Sequence, residues 1–337
     1  MFVSKKMDIV VMPGDGIGPE ITDATLYVLK NLNLKLNFIV REAGYKVWKK
    51  TGRPISEKTI DEIRKKKICL KGPTTTPAGP GTYKSVAATL RQSLDLYANV
   101  RPIKSRAGIK CLYDDLDFVI VRENTEDLYR GLEYTMGNVA IGLRVISRRG
   151  SERIAKFAFE LANRDGRKKV TAVHKANILK ETCGLFRKSC AKISKRYPKI
   201  KFEEMHVDAA ALKILSNPRD FDVIVTTNLF GDILSDEAAG LVGGLGLASS
   251  ANIGDECAMF EPVHGTAPDI AGKGIANPSA MILSSVSMLK HLGEKKSAMK
   301  LEEALNRVLA DGKVLTRDLG GGAKTMAMAE EIVDNLS

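Results

Sequence analysis

The 337 residues contain no run of 18 or more apolar residues, so no segment offers a membrane-spanning helix. The opening Met-Phe-Val-Ser-Lys-Lys-Met-Asp lacks the apolar core of a secretory signal, and a cytoplasmic protein is expected. Cysteine is scarce. Cys69, Cys111, Cys183, Cys190 and Cys257 are odd in number and scattered, with no Cys-x-x-Cys, which argues against a disulfide framework and a structural zinc site. Aromatic residues make up 6%, and no nucleic-acid motif accompanies the net charge of +12. Basic clusters at 65–67, 148–149 and 167–169 lie beside helical or turn sequence and read as solvated faces. A positive field would also favour a multiply anionic small substrate. Repeats, low-complexity tracts and an evident linker are missing as well.

What remains is alternation. Short apolar runs at 8–13, 36–41, 68–71, 117–121, 169–173, 201–207 and 221–227 read as strands. Between and after them, helices are expected from the Gly14 turn to about 31, and at 56–67, 86–97, 151–163 and 181–195. Others close the chain near 279–292, 300–310 and 325–335, and residues 132–147 read as a hairpin or arm. The class is α/β. The Gly14-Asp15-Gly16-Ile17-Gly18 turn resembles a phosphate cradle, but its spacing is not the Gly-x-Gly-x-x-Gly of a dinucleotide turn. A tight turn near the active cleft is the safer expectation.

Chemistry gathers where apolar strands end. After 221–227 comes Asn-Leu-Phe-Gly-Asp-Ile-Leu-Ser-Asp, which places Asp232 and Asp236 four apart, on one face of a helix beginning near Gly231. Two carboxylates that close repel unless solvent or a cation separates them, and Ile233, Leu234, Ala238 and Ala239 leave little room for solvent. With Asp208 after strand 201–207, three carboxylates could converge at one sheet edge. Such a set favours Mg²⁺ or Mn²⁺ over zinc. Arg91, Arg101 and Arg122 are permanently charged forks suited to a polycarboxylate. Lys175 follows strand 169–173 and could act as a base; Tyr129 could donate a proton, and His264 could meet a ligand ring. The uncharged 72–81 loop, with Thr75 and Thr76, suits a ligand's polar edge.

Six stretches carry a resemblance that spans essentially the whole chain: Gly-Asp-Gly-Ile-Gly-Pro-Glu, Leu-Arg with Asp-Leu-Tyr-Ala-Asn-Val-Arg-Pro, Arg-Glu-Asn-Thr-Glu-Asp-Leu-Tyr, His-Lys-Ala-Asn, the aspartate stretch, and Phe-Glu-Pro-Val-His-Gly-Thr-Ala-Pro-Asp-Ile-Ala-Gly. In this order they resemble the β-decarboxylating dehydrogenases, the isocitrate/isopropylmalate dehydrogenase family. The resemblance implies a two-domain fold with a mixed sheet, not a Rossmann fold. One domain would combine 1–103 with 255–337 and the other would be 104–254, in a homodimer with shared active sites clasped by the 132–147 arm. Ser85, Arg91, Arg101 and Arg122 would bind substrate, and Tyr129 and Lys175 would be catalytic. Asp208, Asp232 and Asp236 would hold the metal, with Lys175 and Asp208 reaching across from a second copy. The cofactor would be met by Thr75, Thr76, Asn177, Glu261, His264, Gly265, Thr266, Ala267, Asp269, Ile270 and Asn277.

NAD is expected, because Asp269-Ile270 stands where NADP-using relatives carry Lys-Tyr, and Gly321 stands where they place an arginine. Ser85, six before Arg91, resembles the serine of isocitrate enzymes, although Ala87 departs from their usual Asn. Isocitrate is therefore ranked first, then homoisocitrate, then isopropylmalate. A non-catalytic regulatory subunit of a hetero-oligomeric isocitrate dehydrogenase is the alternative of another class. The intact Tyr129, Lys175 and aspartates weigh against it.

Overall fold

The computed structural model describes residues 6–79 and 81–336. Its strands are β1 (Met7–Met12), β2 (Leu36–Val40), β3 (Ile68–Lys71), β4 (Ala98–Lys104), β5 (Asp117–Glu123), β6 (Glu133–Met136), β7 (Val139–Gly142), β8 (Lys169–His174), β9 (Lys201–His206), β10 (Val223–Thr226), β11 (Ser249–Ile253) and β12 (Ala258–Pro262). The helices are α1 (Gly18–Lys30), α2 (Tyr45–Thr51), α3 (Glu57–Lys66), α4 (Val86–Ser93), α5 (Arg148–Arg164), α6 (Thr182–Ser194), α7 (Val207–Ser216), α8 (Asn228–Leu241), α9 (Ser279–His291), α10 (Lys295–Asp311) and α11 (Thr325–Asp334). Ser56, Ser85 and Ser147 start α3, α4 and α5 by accepting a bond from the amide three residues on.

Ten strands form one mixed sheet in the order β2-β1-β3-β12-β11-β4-β5-β10-β8-β9. β11 runs antiparallel to both β12 and β4, and β4 antiparallel to β5; the pairs outside this seam are parallel. Apolar residues cover both faces, as a sheet with parallel flanks requires. In the half formed by β1, β2, β3 and β12, Ile9, Val11 and Phe260 pack with α1, α9, α10 and α11, while Val10, Met12 and Met259 pack with α3 and α4. In the other half Val119, Val121 and Val225 meet α5 and α6, and Ile120, Val173 and Ile224 meet α7 and α8. β11 falls before the expected boundary at 254, yet it lies between β12 and β4.

The α/β class is as expected; the seam is what the sequence reading missed. Helix α4 stops at Ser93, not 97, and the Asn99–Pro102 segment taken as its end is β4. Pro102 disguised it, and Ser249–Ile253 has too few β-branched residues to announce β11. α7 begins directly after β9 and puts Asp208 in its first turn. α8 begins at Asn228, before Gly231, which is a glycine inside the helix because a Cβ there would meet Arg122 Cγ at 2.6 Å.

The Gly14–Gly18 turn is a wedge, not a phosphate cradle. The Asp15 amide donates to Pro73 O (2.8 Å) and that of Ile17 to Thr266 O (2.9 Å), so these amides are spent on two neighbouring loops. A Cβ on Gly14 (φ +79°) would stand 2.0 Å from Pro73 O; one on Gly16 would stand 2.0 Å from Thr266 O. Gly52 has a similar φ of +74° with open space around it. Gly52→Ala should therefore cost about 1 kcal/mol, whereas Gly14→Ala should cost at least about 2 kcal/mol more through the clash. Urea midpoints of the two variants would check this, and equal losses would refute the wedge.

Candidate active site

The seam turns one row of polar side chains toward the face that carries α4 and α8. Asn99 and Arg101 come from β4, Arg122 from β5, Asn252 from β11 and Glu261 from β12. Arg101 is the centre. Its Nε donates to Asn99 Oδ1 (2.9 Å), Nη1 to Ser235 Oγ (2.6 Å) and Asp236 Oδ1 (2.7 Å), and Nη2 to Asp232 Oδ1 (3.2 Å). The cation required between the two aspartates is thus, in this chain, an arginine. Arg122 donates from Nε to Asn228 Oδ1 (2.9 Å) and from Nη1 to Asp232 Oδ1. The Tyr129 hydroxyl donates to Asp232 Oδ2, and the Arg122 guanidinium lies 4.9 Å from the Tyr129 ring centre.

Electrostatics divide the roles. Burial pushes the Asp232 carboxyl up, but Arg122 and Arg101 outweigh it and hold its pKa below the usual range. Asp236 moves the other way, raised by burial and by Asp232 against the pull of Arg101. Burial, then the charges of Arg91 and Arg101, push Arg122 down to about 10. Its Nη2 is buried without a partner, an unused donor beside two more arginines. An anionic group is what this corner lacks. Burial and its bond to Asp232 raise the Tyr129 phenol, keeping a proton there at neutral pH.

Arg91 is held from behind. Glu261 accepts from Lys71 Nζ (2.8 Å) at Oε2, and from Arg91 Nη2 (3.0 Å) and Asn252 Nδ2 (3.0 Å) at Oε1. Asn252 Oδ1 accepts from Arg91 Nε (3.0 Å), Asn99 Nδ2 (2.9 Å) and Asn124 Nδ2 (2.9 Å). Glu261, expected at the cofactor, commits both carboxylate oxygens to this network. The sequence reading passed over Lys71, Asn99 and Asn252. Only Lys71 carried a signal, as the one polar residue of the strand Ile-Cys-Leu-Lys; Asn99 and Asn252 lie in strands with other polar residues and did not stand out.

A second cluster lies along β3 and β12. Thr75 Oγ1 donates to Thr266 Oγ1 (3.2 Å), and the Thr75 amide to Asp15 Oδ2 (3.0 Å). Gly265, Thr266 and Ala267 follow β12, with Ala267 at φ +37°. His264 Nδ1 faces Gly265 O at 3.0 Å, Nε2 is buried without a partner, and burial lowers its pKa. Asp269 is exposed, and Ile270 packs partly on the core. Asn277 donates to Asp318 Oδ2 (2.9 Å) and accepts from the Ser279 amide (2.9 Å). Thr76 is exposed, and Ser85 caps α4 at the end of the helix face that carries Ala88 and Arg91.

Lys175, Asn177 and Asp208 do not join either cluster within one chain. Lys175 Nζ donates to Asp208 Oδ1 (2.6 Å), a bond that lowers the Asp208 carboxyl. They follow β8 and β9, and β9 lies two strands beyond β10, or about 10 Å at ordinary strand spacing. The expectation that all three aspartates could meet at one edge therefore fails for a single chain. Among the described residues no group of three His, Cys, Asp or Glu side chains could hold a metal. Asp232 and Asp236 still fit a hard divalent cation: the donors are all oxygen, and Asp236 is a half-exposed carboxylate beside a second one.

The fold and these clusters set three arginines beside paired aspartates on one face of the seam. The chain matches the isocitrate/isopropylmalate dehydrogenase family model over residues 8–336 and belongs to that family, whose members carry out metal-dependent oxidative decarboxylation with NAD or NADP. It is 52% identical to 3-isopropylmalate dehydrogenase of Methanothermobacter thermautotrophicus, over 98% of this chain and 99% of the relative. It is 48% identical to homoisocitrate dehydrogenase of Methanocaldococcus jannaschii, over 97% of each chain. The crystal structure of isocitrate dehydrogenase from Methylococcus capsulatus superposes with a TM-score of 0.95 at 49% identity, over 98% of this chain and 99% of that one.

Glu261 offers a pH test. Burial raises its carboxyl, but Lys71 and Arg91 overcome this and hold the pKa at about 2. A depressed carboxylate contributes stability that is present above its unfolded pKa and lost as pH falls through the folded one. The wild type should thus exceed Glu261→Gln in unfolding free energy at pH 5, and the gap should narrow by about 3 kcal/mol toward pH 2. A gap constant across that window, measured by urea titration, would remove Glu261 as the anchor of Arg91.

Proposed function

We propose that the chain is a catalytic NAD-dependent isocitrate dehydrogenase that works as a homodimer. The observation that carries the anionic-substrate reading is the arginine trio with its unpartnered Arg122 Nη2. Arg91, Arg101 and Arg122 grip the carboxylates, and Ser85 offers its hydroxyl to the substituent on C3. Asp232 and Asp236, with Asp208 of a second copy, would hold Mg²⁺ or Mn²⁺; the metal supplies polarisation of the C2 oxygen, and NAD supplies the hydride acceptor. Lys175 of that second copy accepts the hydroxyl proton, and Tyr129, kept protonated beside Asp232, returns one to the carbon that loses CO₂.

Dimerisation is supported by what one chain exposes. Leu212 (68%) and Leu215 on α7, Ile233 on α8, and Met136 and Val139 on the β6–β7 arm are apolar and open to solvent. A division into 1–103 with 255–337 and 104–254 would make the two parts exchange strands at the seam, β11 lying between β12 and β4 and β4 beside β5, and would place the active site where they meet. NAD is favoured over NADP because exposed Asp269 would repel a 2′-phosphate. An arginine at Gly321 would also be excluded, since a Cβ there stands 2.0 Å from Leu315 O.

Isopropylmalate is the second reading. It is supported by the 52% identity to an enzyme so named, and by Ala87 and Ala88, whose methyl groups share the Arg91 face of α4. Steady-state NADH formation with isocitrate, homoisocitrate and isopropylmalate in parallel decides among them. The highest kcat/KM should fall to isocitrate, and a higher value for either other acid would overturn the substrate. No turnover with any of the three would favour the regulatory-subunit alternative. Tyr129→Phe should lower kcat by about a hundredfold or more with a smaller change in KM, and unchanged kcat would remove Tyr129 from proton delivery. NAD should exceed NADP in kcat/KM by at least about tenfold.

A further inference from the structure

The seam strands have a second face. Alternation along β4 sends Asn99 and Arg101 to the active site, and Val100 and Pro102 the opposite way. Likewise β11 turns Asn252 forward and Ala251 and Ile253 back, and β12 turns Glu261 forward and Phe260 back. These rear-facing apolar residues floor a cleft of about 650 Å³ between α5 on one side and α9 and α10 on the other. That volume lies in the range of small-molecule pockets. The C-terminal end of α8 (Ala239, then Val242) reaches the rim of the cleft, but none of Ser85, Arg91, Arg101, Arg122, Asp232 and Asp236 lines it, so it is separate from the substrate site.

Its charge is one-sided. Six lysine or arginine side chains line the cleft against three carboxylates; Arg164 pairs with Asp165, Arg167 with Asp117 and Asp222, and Lys104 with Asp117, which leaves the charge beside α9 and α10 as the least balanced. Glu302 is shared by Lys290 (2.8 Å) and Arg106 (3.4 Å), and Lys295 at the start of α10 has no anionic partner among the described residues. An apolar floor beneath an unbalanced cationic rim matches an amphipathic anion: a carboxylate, sulfonate or phosphate carried on a hydrocarbon or aromatic body.

We propose that this rear cleft binds a small amphipathic organic anion, and that its occupation changes substrate affinity through the strands the two sites share. The ligand's body rests on Val100, Pro102 and Ile253, which keep exposed surface in the cleft, and its anionic group meets Lys295 and Lys290. Any shift of β4 or β11 that accommodates it moves Arg101 and Asn252, which set the substrate grip. The inference does not depend on which acid is the substrate.

Anilinonaphthalene sulfonate, an amphipathic anion whose fluorescence rises in apolar surroundings, is the probe. It is titrated into the full chain with and without saturating NAD and Mg²⁺, so that binding in the front cleft shows as displacement. One saturable site per chain is expected. Lys295→Glu should weaken it about tenfold, and Ser287→Trp, which puts an indole into the cleft from α9, should abolish it; circular dichroism verifies that both variants fold. The probe should also shift KM for the turned-over acid in the wild type and not in Ser287→Trp. Absent fluorescence, displacement by NAD, or wild-type binding in both variants would overturn the site. Binding that left KM unchanged would overturn the coupling, and if none of the three acids is turned over, the fluorescence arm still decides the site.

Discussion

Arg101 sits where two aspartates one helical turn apart need a positive charge, and most of the site depends on that placement. Asp232 and Asp236 are tolerable neighbours because a guanidinium with side-chain exposure of only 7% bonds both. Arg101 is in turn fixed by Asn99 and Ser235, so its position is set by β4 and α8 together. Removing the arginine would leave two partly buried carboxylates in mutual repulsion, and removing the aspartates would leave an uncompensated buried cation. In the proposed enzyme a divalent cation and a polycarboxylate would enter together, each satisfying charges the other's partners release.

That arrangement needs an antiparallel seam inside a sheet that is parallel at both ends. Only there do β4 and β11 bring Asn99, Arg101 and Asn252 side by side with Arg122 and Glu261 from neighbouring strands. The network through Asn252, Glu261 and Lys71 then holds Arg91 from the far half of the chain. Front and rear faces of the seam are chemically opposite, charged and amide-rich on one side and apolar on the other. A site on either face is mechanically tied to the other through the same few peptide units.

The glycine turn shows how close approach can imitate a binding motif. Gly14, Gly16 and Gly18 follow a strand and open a helix, as a nucleotide-binding turn does, yet each marks a place where another backbone oxygen comes within 2.1 Å of a would-be Cβ. The turn locks the 72–77 loop against the segment after β12, and so holds Thr75 beside Thr266. Its contribution to the Thr75–Thr266 cluster is positional.

The local patterns of the chain determined the α/β class, most helices and flanking strands, and the identities of the charged residues at strand ends, because periodicity and strand-end chemistry are short-range properties. The motifs also determined the family. What only tertiary structure decided was which of those residues meet. β4 and β11 are specified by their neighbours in the sheet, not by their own composition, and so Asn99, Asn252 and Lys71 were invisible as partners of Arg91 and Arg101. The same long-range order separates Lys175 and Asp208 from Asp232 and Asp236 within one chain, since β8 and β9 lie outside β10. Four residues on a helix are always neighbours, whereas strands are neighbours only where the whole sheet puts them.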